Sequence, residues 1–139
     1  MKLNVDFSEL HQAAARMTNT ATDEKARNLD HVRNIARDIE EGMTFAEAGM
    51  DHEEHGCEPD DQISGFDYLS DALDIEYIIA SDRETVLGAR VLVAFGGPNI
   101  WIDTRKQIVE LFWWGDYACA ECHADAMDIQ GAIEELYNC

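Results

Sequence analysis

Apolar residues recur at every third or fourth position over two stretches in the first part of the chain. Leu10, Ala13, Ala14 and Met17 share one face of a helix over residues 8–17, with Ser8 placed to cap it. The polar run Thr-Asn-Thr-Ala-Thr at 18–22 predicts a break. Thr22 or Asp23 then caps a longer helix to Glu41, with a stripe of Ala26, Leu29, Val32, Ile35, Ala36 and Ile39 and a stop at Gly42. Residues 42–62 carry no stripe and contain Gly56 and Pro59, so they predict an acidic loop with one helical turn at 44–48. A third helix is expected over 64–73, with Phe66, Leu69 and Leu73 as its inner face.

The pattern then changes period. Residues 75–80, 89–95, 100–103 and 108–113 are rich in β-branched and aromatic side chains and predict four strands. Gly96-Gly97-Pro98-Asn99 is a dense turn signal, and the short links favour an antiparallel meander. Asp116 is expected to cap a closing helix whose stripe is Cys119, Cys122, Ala126, Ile129, Ile133 and Leu136, at spacings of three and four. The architecture read this way is α+β: N-terminal helices, a four-stranded antiparallel sheet and a C-terminal helix packed on it. The 139 residues form a single domain in three parts: helices over 1–41, an acidic loop over 42–62, and helix, sheet and closing helix over 63–139.

Charge changes this picture more than composition does. Twenty-nine acidic residues stand against ten Lys and Arg, a net charge of −19. Residues 38–84 hold sixteen acids and one base, Arg83, and no Lys or Arg lies between Asp38 and Asp82. A solvated helix normally intersperses both signs, so such a run costs stability through self-repulsion. Direct binding of nucleic acid or of an anionic membrane is excluded on charge, whereas a basic protein partner is favoured. Glu40, Glu41, Glu47, Asp51, Glu53, Glu54, Glu58, Asp60 and Asp61 are the candidate contacts. The N-terminus lacks the apolar stretch of a signal peptide, and no run reaches the ~18 apolar residues of a membrane span, so the expectation is a cytoplasmic protein.

One cluster of side chains could carry chemistry. His52, His55 and Cys57 in the loop, with Cys119, Cys122 and His123 later, have spacings that could hold zinc. Cys119-Ala-Glu-Cys122-His123 also fits the pattern for covalent haem attachment. The competing reading places Cys119 and Cys122 in the core stripe of the last helix, where free cysteine packs as a small hydrophobe. His11 and His31 sit beside apolar faces. No nucleophile motif such as G-x-S-x-G occurs, and Gly96-Gly97 is followed by no lysine, so neither an enzyme nor a cofactor is expected. Trp113 and Trp114 are adjacent and would face opposite sides of a sheet, which makes Trp113 a candidate interface anchor.

The stretch ARVLVAFGGPNIWIDT at 89–104, with VELFWWGD at 109–116 and the closing AMDIQGAIEELY, resembles a group of small acidic proteins of phages and integrative elements. The opening MKLNVDFSELHQAAARM is similar to the start of such proteins. The resemblance spans about half the chain and implies an origin in a mobile element. In size, acidity and lack of a catalytic motif the chain is similar to anti-CRISPR proteins. The function expected is therefore a non-catalytic inhibitor of a host nucleic-acid-handling defence complex, such as a Cas effector or nuclease, acting through an acidic, DNA-mimicking surface. A small zinc-binding adaptor or regulatory protein of a mobile element is the alternative.

Overall fold

In a computed structural model of the chain, the backbone is described for residues 7–139 and the side chains from Asp23 onward. The long helix α1 (Phe7–Glu41) leads into two short helices, α2 (Phe45–Ala48) and α3 (Gly65–Ser70). Five strands follow, β1 (Asp74–Ile79), β2 (Val86–Ala94), β3 (Asn99–Asp103), β4 (Ile108–Trp113) and β5 (Asp116–Glu121), and α4 (Ile129–Asn138) closes the chain. The strands form one antiparallel meander in sequence order. The fold is α+β as expected, with one strand more than the four expected.

That fifth strand is the main correction. Asp116 does not cap a helix but opens β5, paired with Trp113 across a two-residue Trp114-Gly115 turn. Both turn residues have positive φ, 49° and 80°, the backbone of a type I′ hairpin link. The closing helix starts only after Asp128, whose carboxylate accepts from the Gly131 amide. A second correction concerns α1, which runs unbroken through residues 18–22. Threonine and asparagine lower helix propensity by only a few tenths of a kcal/mol each, less than the cost of nucleating a second helix. The face expected for Leu10, Ala13, Ala14 and Met17, the cap at Ser8 and the setting of His11 lie outside the described side chains.

Strand register sorts the sheet into two faces. Ile75, Tyr77, Ala89, Val91, Ile100, Ile102, Val109, Leu111, Ala118 and Ala120 point toward the helices. The central ones are fully buried and join Val32, Ala36 and Ile39 of α1 and Ile129, Ala132 and Ile133 of α4 in a single core. Helix α1 lies on β4 and β5, and α4 lies against β2 and α3. Ala118 and Ala120 present little bulk, which leaves room for a helix across the edge strand. Gly65 marks the tightest point between α3 and α4: a Cβ there would stand 2.5 Å from the Asp128 carbonyl oxygen. The inner residues of α3 are thus Gly65 and Leu69, while Phe66 and Leu73, expected inside, are 45% and 60% exposed.

Candidate functional site

Residues 42–62 are ordered by a few buried anchors. Phe45 is part of the buried core, and Met43, Ala48, Met50 and Cys57 pack against that core. Gly42, at φ 82°, turns the chain out of α1, and its amide donates to the Asp38 carbonyl. Thr44 caps α2 through the Glu47 amide and bridges to Gln62, and the Phe45 and Ala46 amides donate to the Asp61 and Pro59 carbonyls. Two carboxylates shape the turns between: Asp51 Oδ1 accepts from the Glu53 amide at 3.0 Å, and Asp61 Oδ2 from the Glu58 amide at 2.8 Å. His55 packs against Phe45 with the rings tilted and their centroids 5.2 Å apart, and its Nδ1 lies 2.9 Å from Asp67 Oδ1 at the start of α3. The segment expected to have little to bury is pinned at both ends and at its middle.

This scaffold turns its acids outward. Glu41, Glu47, Asp51, Glu53, Glu54, Glu58, Asp60 and Asp61 are all exposed, and Glu40 is half-buried, with Oε1 accepting from the His123 amide. Among the described residues none of the nine pairs with a Lys or Arg. Like charge is concentrated enough to reach the partly buried Asp38. The Asp38 carboxyl is held above the usual carboxylate range, first by burial and then by the charges of Glu47 and Glu41, against the opposing pull of Arg37. The charged ends of α1 and α2 therefore meet in space as well as in sequence.

Among the described residues the structure does not bring the six candidate metal ligands together. Strand alternation turns Cys119 outward on β5, where it is exposed, while Cys122 is buried at the end of that strand beside the Ala36 and Ala124 carbonyls. An odd separation along a strand places two side chains on opposite faces. The two cysteines therefore cannot share one ion, and the expected burial of Cys119 is wrong. Burial pushes the Cys122 thiol up to about 11, with Glu40 and Asp125 adding to the shift. His123 meets Glu121, and His52, His55 and Cys57 stay in the acidic segment. Among the described residues no three His, Cys, Asp or Glu side chains come together to hold a metal ion.

A cavity of about 490 Å³ opens between the β3–β4 turn and the start of α4. Part of its polar lining is engaged internally: Thr104 Oγ1 donates to Gln130 Oε1, and Asp125 accepts from the Ile129 and Gln130 amides.

The second exposed feature, at the β4–β5 hairpin end of the sheet, is aromatic. Trp113 points to the helix side and packs on the core, so the anchor expected there is half-buried. The exposed indole is Trp114, 86% accessible on the hairpin tip and edge-on to Trp113 at 5.6 Å. On the open face Phe112 and Tyr117 pair at 5.1 Å, and Phe95 stands exposed on the neighbouring turn. Trp101 also lies on this face, under the Arg90 guanidinium at 4.4 Å.

Among the described residues no helix is long and apolar enough to cross a membrane. Comparison of the chain with protein-family models, with curated proteins and with solved structures yields no match.

Proposed function

We propose that the protein is a non-catalytic inhibitor of a nucleic-acid-handling defence complex in a bacterial host, of the anti-CRISPR kind, and that it occupies a basic groove as a nucleic-acid mimic. The observation that carries this reading is the ordered acidic segment. Eight exposed carboxylates, unpaired with any described Lys or Arg, are held on a backbone fixed by turns, caps and the buried Phe45. A chain that needed acidity only for solubility could carry it on a mobile tail or mix in lysines at no cost to the fold. Guide and target duplexes are held in channels lined by Lys and Arg, which read backbone charge and shape. A fixed array of carboxylates offers the same charge to the same groove. It also steers encounter over a distance, since complementary fields raise association rates.

The test is competition. Wild-type protein should displace target DNA from a basic effector such as a Cas nuclease complex, and should not retard DNA on its own. The variant with Glu53, Glu54, Asp60 and Asp61 all changed to Lys should lose the displacement while keeping its circular dichroism and a cooperative unfolding transition, its stability lower by about 0.5–1.5 kcal/mol for the lost Asp61 turn hydrogen bond. A folded quadruple variant that competes as well as wild type would overturn the reading.

A further inference from the structure

Trp114 stands where the fold gains least from it. It is 86% exposed, and it occupies the first central position of a two-residue hairpin turn at φ 49°, in the left-handed region that asparagine and glycine adopt with least strain. A large apolar ring held out in water on a strained backbone is a double cost, with only the edge-on contact to Trp113 in return. Its surroundings suggest what offsets it. Phe112, Trp114 and Tyr117 line an open cleft of about 390 Å³ together with Trp113, Asn99 and Asp116, and no Lys or Arg lines it. The Tyr117 hydroxyl donates to Glu110 Oε2 at 2.6 Å, which feeds negative charge toward the phenol ring.

Aromatic faces carry negative quadrupole charge and attract cations, tryptophan most strongly. Rings joined to the Glu110 carboxylate through the Tyr117 hydroxyl, with no Lys or Arg lining their cleft, favour a positively charged visitor over a neutral apolar one. Among cationic groups a planar guanidinium fits best, because it stacks on a ring and donates from its edge to a carboxylate at the same time. The same protein already shows that pairing on the same sheet, where Arg90 lies over Trp101 at 4.4 Å and within 3.8 Å of Glu76.

We infer that the cleft between Phe112, Trp114 and Tyr117 is a docking site for one arginine side chain of a basic protein partner. The inference deepens the reading above and rests on it for the source of that arginine. The acidic segment would draw the partner in by long-range attraction, and the aromatic cleft would hold one residue of it in close contact. The two surfaces share no residue, so each can fail alone.

The experiment titrates the intact, isotope-labelled protein with N-acetyl-arginine amide and, in parallel, with the neutral isostere N-acetyl-citrulline amide, following amide and indole resonances. Arginine amide should give saturable shifts confined to residues 97–99 and 112–117. Citrulline amide should bind at least about threefold more weakly, as the loss of an exposed cation–π contact implies. Trp114→Asn, which suits the turn backbone, should abolish the saturable shifts, and the quadruple acidic-segment variant should retain them. Equal shifts from both probes, or shifts unchanged in Trp114→Asn, would overturn the assignment. Loss of competition in the quadruple variant with the cleft still binding arginine leaves this site standing alone. A cleft that ignores arginine leaves the acidic mimic to be judged by its own test.

Discussion

His55 Nδ1 lies 2.9 Å from Asp67 Oδ1, joining the middle of the acidic segment to the first turn of α3. Asp67 already serves the helix: its Oδ2 accepts from the Ser64 amide, and its own amide donates to Ser64 Oγ. One carboxylate therefore closes a capping box and anchors the loop that carries the charge. His55→Ala should loosen that loop without opening the core. Amides of residues 50–58 should exchange faster, those of β2–β4 should not change, and global stability should fall by less than about 1 kcal/mol because the pair is partly exposed. Hydrogen exchange followed by mass spectrometry resolves these regions.

The approach of α3 to α4 gives a sharper stability test. At Gly65 an added methyl group would meet the Asp128 carbonyl oxygen at 2.5 Å and its carbon at 2.9 Å, and neither is a flexible side chain. The Gly65 amide also donates to the Met127 carbonyl at 2.7 Å, so the two segments cannot separate freely. Gly65→Ala should cost about 1–3 kcal/mol through overpacking, seen as a lower urea midpoint with an unchanged m-value. A neutral outcome would mean that this contact is looser than its geometry.

Trp114→Asn separates a structural role from an interface role. Removing the edge-on contact with Trp113 should lose about 0.5–1.5 kcal/mol at most. Relieving the left-handed backbone should return about 1–2 kcal/mol. The opposing effects leave the variant within about 1 kcal/mol of wild type. Thermal unfolding measures this, and a large loss would assign Trp114 to the fold.

Alkaline titration probes the core from another side. Burial pushes the Tyr68 hydroxyl up to about 12, with smaller contributions from Asp38 and Cys122, and it pushes the Cys122 thiol up to about 11. Both groups hold their protons more tightly when folded. Their contribution is therefore whole below the unfolded values of 9.0 and 10.0 and is lost as pH climbs toward 11 and 12. For Tyr68 the loss amounts to about 2–3 kcal/mol. Tyr68→Phe should flatten the fall in stability between pH 10 and 12, measured by urea unfolding across that range. Thiol labelling at neutral pH should reach Cys119 and Cys139 at once and Cys122 only on unfolding.

How much of this was legible in the sequence depended on side-chain size. The stripe Val32, Ala36 and Ile39 and the alternation in β2 to β4 mark buried faces with large apolar groups, and the structure buries those residues. In β5 the inward positions are Ala118 and Ala120, too small to signal a strand, and Cys119, Cys122 and Ala126 happened to fall at helical spacing. The signal that could have found it is Trp114-Gly115 straight after a strand, a two-residue link with glycine second. Read as a helix, the same residues set Cys119 and Cys122 on one face and hide the turn that exposes Trp114 rather than Trp113. In α3 the aromatic Phe66 was expected inside, but Gly65 takes the inner position because α4 passes too close for a side chain. Only the packing of distant segments reveals that. The acidic segment was evident from charge alone. Its order was not, because it depends on Phe45, His55 and Asp67 meeting across the loop.

The dependence of partner binding on salt tests the central claim most directly. Attraction between exposed charges is screened over ~8–10 Å near physiological ionic strength. Affinity for a basic effector, measured by titration at rising salt, should therefore fall steeply for the wild-type protein. A single charge change should shift it little, at about 0.2–1 kcal/mol per exposed pair. The variant with Glu53, Glu54, Asp60 and Asp61 changed to Lys should bind weakly at every salt concentration, with a nearly flat dependence. A wild-type affinity indifferent to salt, or a quadruple variant with the same steep slope, would show that the acidic segment is only a solvated face of the protein.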